Sequence, residues 1–240
     1  MSGRMGIYSQ AAGGFEPYKL FNIWYDGDNV TQSAAKISGL TDLGLDGNNA
    51  SQATADNQPD YTAGNATFNS LPTINPASTP VVDYMTLGSS FNITLNSNWT
   101  LAFVGKMTGS YWSMWESSTT SGAYLWEQLT STRSYFRDGT NVKFVDSGSF
   151  SAENIWIYWG DGTNIYCYNG SAGTTNSVAV GAATATITID TLFKRSTSAV
   201  KADGQMAASA INYGNHLSTV DKNLVGNWLS AKYNLPFTDI

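Results

Sequence analysis

The chain has 240 residues, of which 42% are hydrophobic and 13% aromatic, so it is long enough for one large domain or two small ones with a substantial core. Its formal net charge is −6, and only 12 residues are lysine or arginine, which argues against a nucleic-acid partner because phosphate binding needs clustered cations. Charged residues make up 12% of the chain, about half the usual share of roughly 25%, so the surface must consist largely of Ser, Thr, Asn and Gly. Such a composition is typical of an extracellular or particle-borne module rather than of a cytosolic enzyme.

The start of the chain and its cysteine count indicate the compartment in which the protein is made. Residues 1–20 contain no apolar stretch of the kind that a secretory signal requires, and no run approaches the ~18 apolar residues of a membrane span. Cys167 is the only cysteine, so no disulfide can form within the chain. We therefore expect a protein that is made in a cytoplasm and is not inserted into a membrane.

The first 19 residues are glycine-rich and lack a sustained hydrophobic period, which predicts an arm that either anchors the protein to a partner or is flexible. Residues 20–240 are expected to form a single domain. This domain opens with a predicted strand at residues 20–25, which runs into a turn at residues 26–29.

Residues 41–61 are polar and rich in Gly, Asn and Asp, and loops of this length are usually functional or structurally fixed.

The middle of the chain consists of many short predicted strands separated by turn residues. Residues 99–104, with the sequence WTLAFV, form a nearly continuous apolar run, as expected of a strand that is buried on both faces. Residues 155–159 and 164–168 flank Gly-Asp-Gly-Thr, the clearest hairpin signal in the chain. The inward face of this hairpin is expected to hold one of two complementary sets, the first being Ile155, Ile157, Trp159, Ile165 and Cys167. Strands of this length and spacing indicate an all-β sandwich or barrel.

The C-terminal part predicts the one convincing helix, after a strand at residues 206–211. Ser218 is the expected N-cap, and Asp221 stands at the position of a capping-box acid. The residues expected on the apolar face of the helix are Val220, Leu224, Val225, Trp228 and Leu229. Pro236 prevents the helix from continuing. We expect the helix to cover the strand that precedes it.

Motifs at both ends of the chain match one family. Near the start, WYD at residues 24–26 is followed by GNNASQ at residues 47–52 and by QPDY at residues 58–61. Near the end, a Leu-Ser turn leads into a helix that carries WLSAKYNL at residues 228–235. This pattern resembles the concanavalin A-like, laminin-G-like jelly-roll domains of bacterial surface proteins and bacteriophage structural proteins. The resemblance spans residues 20–235 and implies an all-β, concanavalin A-like jelly-roll β-sandwich with one short C-terminal helix, while it says little about function.

The sequence offers no recognisable catalytic set. The only glutamates are Glu16, Glu116, Glu127 and Glu153. None has an acid two or four positions away, which the paired carboxylates of a glycosidase on one strand would require. His216 is the only histidine, which argues against a zinc site or a Ser-His-Asp triad, and Cys167 is expected to be a small core residue. These absences predict a protein that is not an enzyme and has no cofactor, with Ca²⁺ as the one alternative.

Two sets of side chains are candidate binding residues. Carboxylate and amide oxygens of the polar loops suit Ca²⁺ if the loops meet, although Asp and Asn also favour turns. This candidate metal set comprises Asp26, Asp28, Asp42, Asp46, Asn48 and Asn49. Aromatic side chains in the middle of the chain form either a sugar-stacking platform or part of the core. This candidate carbohydrate set comprises Tyr111, Trp112, Trp115, Tyr124, Trp126, Tyr135 and Phe136.

These features together favour a structural protein of a bacteriophage particle, such as a capsid decoration, a head fibre or a tail component. We expect it to be located on the virion, with residues 1–19 contacting other virion proteins. A homo-oligomer is expected because the surface combines little charge with many aromatic residues. The alternative function is that of a carbohydrate-binding, lectin-like module that recognises glycans on the host surface.

Overall fold

A computed structural model describes residues 14–77, 83–107, 112–120, 123–130, 132–181, 185–193 and 203–240, with only the backbone described at residues 112, 129 and 130. These ranges contain seventeen β-strands and one α-helix. The strands are β1 (Ile23–Asp26), β2 (Val30–Ser33), β3 (Lys36–Leu40), β4 (Ala50–Ser51), β5 (Asp60–Asn65), β6 (Leu71–Asn75), β7 (Met85–Ile93), β8 (Asn98–Met107), β9 (Trp112–Glu116), β10 (Ala123–Thr130), β11 (Arg133–Asp138), β12 (Val142–Asp146), β13 (Asn154–Asp161), β14 (Asn164–Asn169), β15 (Thr174–Ala179), β16 (Ile187–Leu192) and β17 (Gly204–Tyr213). The helix is α1 (Thr219–Tyr233), and short 3-10 turns lie at Pro17–Leu20, Ala55–Asn57 and Ala66–Phe68.

The strands form two antiparallel layers. In the first layer the strands lie in the order β15, β14, β13, β8, β17 and β1. In the second layer the order is β4, β7, β16, β9, β10, β11 and β12. The remaining strands β2, β3, β5 and β6 link the two layers. The prediction of an all-β sandwich is therefore confirmed.

The main hydrophobic core lies between the layers, and β8 shows how the sequence produces it. Trp99, Leu101 and Phe103 alternate along this strand and are fully buried in the main core. Ala102 and Val104 point the other way, into a second cluster beneath the helix. Burial on both faces is what the continuous apolar run at residues 99–104 predicted.

The β13–β14 hairpin forms at the predicted glycine-rich turn, but its faces divide differently from either predicted set. The side chains in the main core are Trp156, Tyr158, Ile165 and Cys167. Those on the helix side are Ile155, Ile157 and Trp159. The predicted grouping is wrong because residues opposite each other in an antiparallel pair share a face, and Tyr158 is opposite Cys167.

Cys167 is a small core residue, as the sequence predicted. Its side chain is buried in the main core. Burial raises the pKa of its thiol to about 12, so almost no thiolate exists at neutral pH.

The helix begins where the capping pattern placed it, because the Ser218 hydroxyl accepts the backbone N–H of Asp221 at 3.1 Å. Its predicted apolar face is only partly right. Val225 and Leu229 are buried, whereas Val220 and Leu224 are 68% and 45% exposed. The buried face is Lys222, Val225, Gly226, Leu229 and Tyr233. No helix in the described ranges is long and apolar enough to cross a membrane.

The helix covers β17, as expected. Ala207, Ala208 and Ala210 pack in the same cluster as the helix, and such small residues allow it to approach the sheet closely. The Tyr233 hydroxyl donates to the carbonyl oxygen of Ala207 at 3.1 Å. The second cluster therefore fixes the helix on the outside of the first layer.

The N-terminal expectations are only partly met in the described residues. The predicted strand at residues 20–25 is β1, which begins at Ile23 because Pro17–Leu20 forms a 3-10 turn with proline in its first turn. Residues 1–13 of the predicted arm lie outside the described residues. The polar segment 41–61 is not one loop, since it contains β4, a 3-10 turn and the start of β5.

Asp83 is a buried carboxyl group that couples stability to pH. Its pKa is raised to about 6, because burial, helped by the charges of Asp60 and Asp203, outweighs the hydrogen bond from the Ala77 N–H and the charge of Lys36, which lower the pKa. The hydrogen bond from the Ala77 N–H is 2.8 Å long. Because the folded state binds this proton more tightly than the unfolded state does, the contribution of Asp83 to stability falls as pH rises from about 4 through about 6.

We expect Asp83→Asn to remove this contribution, because the amide keeps an acceptor for Ala77 and carries no charge. At about pH 7.5 the variant should be more stable than the wild type by roughly 1–3 kcal/mol, and near pH 4 the difference should vanish. Urea denaturation monitored by tryptophan fluorescence across this range measures the effect. Asp56→Asn, which neutralises an exposed carboxylate, is the matched control. Equal behaviour of the two variants would show that Asp83 is not responsible.

Candidate functional site: a polar recess beside Tyr213

A polar recess of about 560 Å³ lies where the loop between β3 and β4 meets β7 and the end of β17. We call it the Tyr213 recess. Its eight lining residues are Asp46, Gly47, Asn48, Asn49, Gly88, Ser89, Ser90 and Tyr213. They supply carboxylate, amide and hydroxyl groups beside one aromatic ring, a combination that orients a polar ligand.

The loop that forms one wall is organised by the buried carboxylate of Asp42. One oxygen accepts the backbone N–H of Trp24 at 2.8 Å and that of Gly44 at 2.7 Å. The other oxygen accepts the backbone N–H of Asn48 at 2.6 Å. The side chain of Asn49 closes the loop by accepting the backbone N–H of Asp42 at 2.8 Å. Hydrogen bonds to a carboxylate are stronger than neutral ones, so this loop is held in one conformation.

Asn48 fixes the loop onto β7. Its amide nitrogen donates to the carbonyl oxygen of Ser89 at 2.7 Å, and its amide oxygen accepts the Ser89 N–H at 2.8 Å. The N–H of Gly88 donates to the carbonyl oxygen of Asn49 at 2.8 Å. A Cβ at position 88 would lie 2.9 Å from that same oxygen, so glycine is needed for the loop to lie this close.

Tyr213 rests on a column of aromatic rings that leads into the core. Its ring stacks on Phe91, with centroids 4.5 Å apart and planes 5° apart. Phe91 meets Trp115 edge-on, and Trp115 stacks on Tyr25, with 6.0 Å between centroids in each pair. The Tyr25 hydroxyl donates to the backbone carbonyl of Asn48. The same column therefore supports two walls of the recess.

Asp46 gives the recess a negative charge. Its carboxylate accepts the Tyr213 hydroxyl and, at 3.2 Å, the side-chain amide of Asn22. Burial raises the pKa of Tyr213, and Asp46 and Asp42 raise it further. The Tyr213 hydroxyl therefore stays protonated throughout the physiological range and acts as a donor to Asp46.

The candidate metal residues form two separate groups. Asp26 and Asp28 both pair with Lys232, at 3.0 and 2.8 Å, so the lysine ammonium lies where a cation would. Asp42 is occupied by backbone N–H groups, and Asp46 by Tyr213. Within the described ranges, no group of three or more His, Cys, Asp or Glu residues could hold a metal ion. The prediction of one calcium site is corrected for its members Asp26, Asp28, Asp42, Asp46 and Asn48.

Most of the candidate carbohydrate residues belong to the core. The buried members are Trp115, Tyr124, Trp126 and Phe136, each no more than 1% exposed. No ring face of these residues is open to a ligand in solution. The predicted platform is corrected for them, because the strands β9 to β11 direct these rings into the protein.

The remaining members of the predicted platform have different outcomes. Tyr111 lies outside the described residues, and only the backbone of Trp112 is described. Tyr135 is half-buried, and its ring centroid lies 5.8 Å from that of Phe144, which is 46% exposed. The role of Tyr135 in binding sugar stays a prediction.

A second recess of about 550 Å³ lies between β5, β6 and the start of β17. Its lining residues are Ala35, Asp60, Tyr61, Thr62, Asn75, Gly204 and Gln205. Asp60 pairs with Lys36 at 2.8 Å, and the Asn75 amide donates to Thr62 at 2.7 Å. The Tyr213 recess is the better candidate for a ligand site, because Asp42 and Asn48 fix its loop wall and Phe91 supports the ring of Tyr213.

The sequence matches no known protein family and no curated protein. Solved structures do match. A GH54 α-L-arabinofuranosidase soaked with 4-nitrophenyl α-L-arabinofuranoside aligns over 91% of this chain and 60% of its own, at 14% identity and a TM-score of 0.52. Trypanosoma rangeli sialidase with 2,3-difluorosialic acid aligns over 88% and 33%, at 11% identity and a TM-score of 0.51. The botulinum neurotoxin serotype D ligand-binding domain with N-acetylneuraminic acid aligns over 91% and 55%, at 10% identity and a TM-score of 0.47.

The likeness to these structures is one of fold. The chain spans between 33% and 60% of the length of these three chains. The two structures with TM-scores above 0.5 support a jelly-roll-like all-β architecture and give no support to a bacteriophage context. The prediction that the protein is not an enzyme is overturned, since two of the three structures are glycosidases and the architecture gives no ground for that exclusion.

The structure also buries two acids on neighbouring strands, an arrangement that spacing along one strand could not reveal. Glu116 and Glu127 lie on the neighbouring strands β9 and β10. Glu116 is opposite Tyr124 and Glu127 is opposite Ser113, so the two acids are not directly opposite each other. Both are no more than 1% exposed, so both carboxylates are closed to solvent in this structure.

Sequence reasoning missed five of the eight residues that line the Tyr213 recess and assigned the other three to a metal site. Gly47, Gly88, Ser89, Ser90 and Tyr213 were not candidates, and Asp46, Asn48 and Asn49 were candidates for a metal. The alternation of β17 was the available signal for Tyr213. It lies two residues after the core residue Ile211, at the point where the strand ends.

Proposed function

We propose that the protein binds carbohydrate in the Tyr213 recess. The observation that carries this proposal is the convergence of exposed carboxylate, amide and hydroxyl side chains beside an aromatic ring in one recess. Sugars present hydroxyl groups that donate and accept hydrogen bonds, and C–H faces that pack on aromatic rings. The fold likeness to glycosidases agrees with this proposal, but the recess alone supports it for this chain.

The recess is formed before a ligand arrives. Asp42 and Asn48 hold the loop wall through hydrogen bonds to backbone groups, and Phe91 supports the ring of Tyr213. Binding therefore orders few additional side chains, which reduces its entropic cost.

Location on a bacteriophage particle is a proposal that comes from the sequence alone. It includes contacts of residues 1–19 with other virion proteins and a homo-oligomeric state. A glycan-binding domain displayed on a particle would join both functions, with the recess facing the host surface.

We expect Tyr213→Ala to weaken binding to a glycan array about tenfold or more, because the aromatic wall is lost. Tyr213→Phe keeps the ring and removes only the bond to Asp46, so its loss should be a few-fold. Titration of the best array ligand by isothermal calorimetry measures both effects.

Tyr166→Ala is the matched control, because Tyr166 is a half-buried tyrosine that stacks on Trp159 in the first layer, away from the recess. It should bind as the wild type does. Unchanged affinity of Tyr213→Ala, or a wild-type protein that binds no glycan, would refute the proposed function.

A further inference from the structure

The Tyr213 recess has an uneven set of charges. Among its eight lining residues, Asp46 carries a negative charge and none is Lys, Arg or His. A second carboxylate, Asp42, lies directly behind the loop and accepts the N–H of the lining residue Asn48 at 2.6 Å. Both acids are therefore close to any ligand in the recess.

Five cations of the described ranges form salt bridges with carboxylates outside the recess. They are Lys19, Lys36, Lys106, Arg133 and Lys232. The Tyr213 hydroxyl does not neutralise Asp46, because it donates a hydrogen bond while remaining protonated. The negative charge of the recess is thus left uncompensated by the side chains that line it.

We infer that the recess selects uncharged sugars and rejects sugars that carry a carboxylate, such as sialic and uronic acids. This inference rests on the proposed function and specifies its ligand class. Its physical basis is repulsion between the carboxylate of Asp46 and that of an acidic sugar in a partly desolvated site. A neutral pyranose meets no such cost, since its hydroxyls can donate to Asp46 and can exchange hydrogen bonds with Asn49 and Ser90.

The test compares pairs of ligands that differ only in charge. An array presents each neutral hexopyranoside beside its uronic acid counterpart, and neutral oligosaccharides beside their sialylated forms. We expect the wild type to bind the acidic member of each pair at least about tenfold more weakly than the neutral member. This difference in affinity should become smaller at high salt, because salt screens the repulsion.

Asp46→Asn is the decisive variant, because the amide keeps an oxygen acceptor for Tyr213 and removes the charge. It should lower affinity for the neutral member, which loses its bond to a charged acceptor, and should narrow the ratio of neutral to acidic affinity about tenfold. Asp56→Asn, at an exposed position outside the recess, makes the same charge change and should alter neither affinity.

The outcomes separate the inference from the proposed function. If wild type binds both members of a pair equally, or if Asp46→Asn leaves their ratio unchanged, the selectivity is refuted while carbohydrate binding stands. Tighter binding of sialylated or uronic acid ligands would also refute it. If no glycan binds, the proposed function fails and the selectivity fails with it.

Discussion

Asp42→Ala is expected to lower the free energy of unfolding by roughly 4 kcal/mol and to abolish binding in the Tyr213 recess. The substitution removes three hydrogen bonds to a carboxylate and leaves the buried N–H groups of Trp24 and Asn48 without an acceptor. Each such bond contributes about 1.5–3 kcal/mol, and part of the loss is recovered when water enters the loop. Urea denaturation gives the stability change, and glycan titration below the unfolding transition gives the change in binding.

Asp42→Asn separates the charge from the hydrogen bonds. Its oxygen can still serve Trp24 and Gly44, but its amide group faces the N–H of Asn48, so we expect about half the loss. Asp56→Ala, at an exposed position, is the control and should cost less than about 0.5 kcal/mol. A loss of that small size for Asp42→Ala would show that the loop does not depend on this carboxylate.

Lys232→Met is expected to lower the free energy of unfolding by roughly 3–5 kcal/mol and Tm by about 10 °C. Lys232 links the helix to the turn after β1, where it pairs with Asp26 at 3.0 Å and with Asp28 at 2.8 Å. Because the side chain of Asp26 is buried, removal of the lysine leaves an uncompensated charge in the protein. Thermal unfolding by circular dichroism measures the loss.

Two further variants identify the cause of this loss. Lys232→Arg keeps the charge and should recover a large part of the stability. The double variant Asp26→Asn, Lys232→Met removes both charges and should be more stable than Lys232→Met alone, because the buried charge is gone. If the double variant is no more stable, the loss comes from the contacts of the Lys232 ammonium with the rings of Trp228 and Tyr233, 5.2 and 5.3 Å from their centres, rather than from the charge left on Asp26.

The C-terminal helix shows what the sequence can predict. Its start depends on Ser218 and Asp221, which are close in sequence, and the cap forms as expected. Which face of the helix is buried depends on residues that are distant in sequence, and the spacing of apolar residues predicted that face only in part. Lys222 is buried because its ammonium lies 3.7 Å from the centre of the Trp159 ring. Gly226 is buried because Phe237 packs against it, and neither residue contributes to an apolar pattern.

The residues of the Tyr213 recess could be predicted only in part, because three distant segments form it. The composition of residues 46–49 predicted a polar loop. Residues 88–90, in contrast, lie within the strand β7, and Tyr213 is the last residue of β17. Their meeting depends on the pairing of β4 with β7, in which Ala50 is opposite Leu87. Register of this kind is set by the whole sandwich, so a local motif cannot reveal it.

The lone buried thiol makes this protein convenient for site-specific labelling. With its pKa raised to about 12, Cys167 has almost no nucleophilic form at neutral pH, and its position in the core keeps reagents away. A cysteine introduced at an exposed position such as Leu45, next to the recess residue Asp46, would then react alone with a maleimide dye, without prior removal of the native cysteine. A fluorophore at the rim of the recess would report ligand occupancy directly in an otherwise unaltered chain.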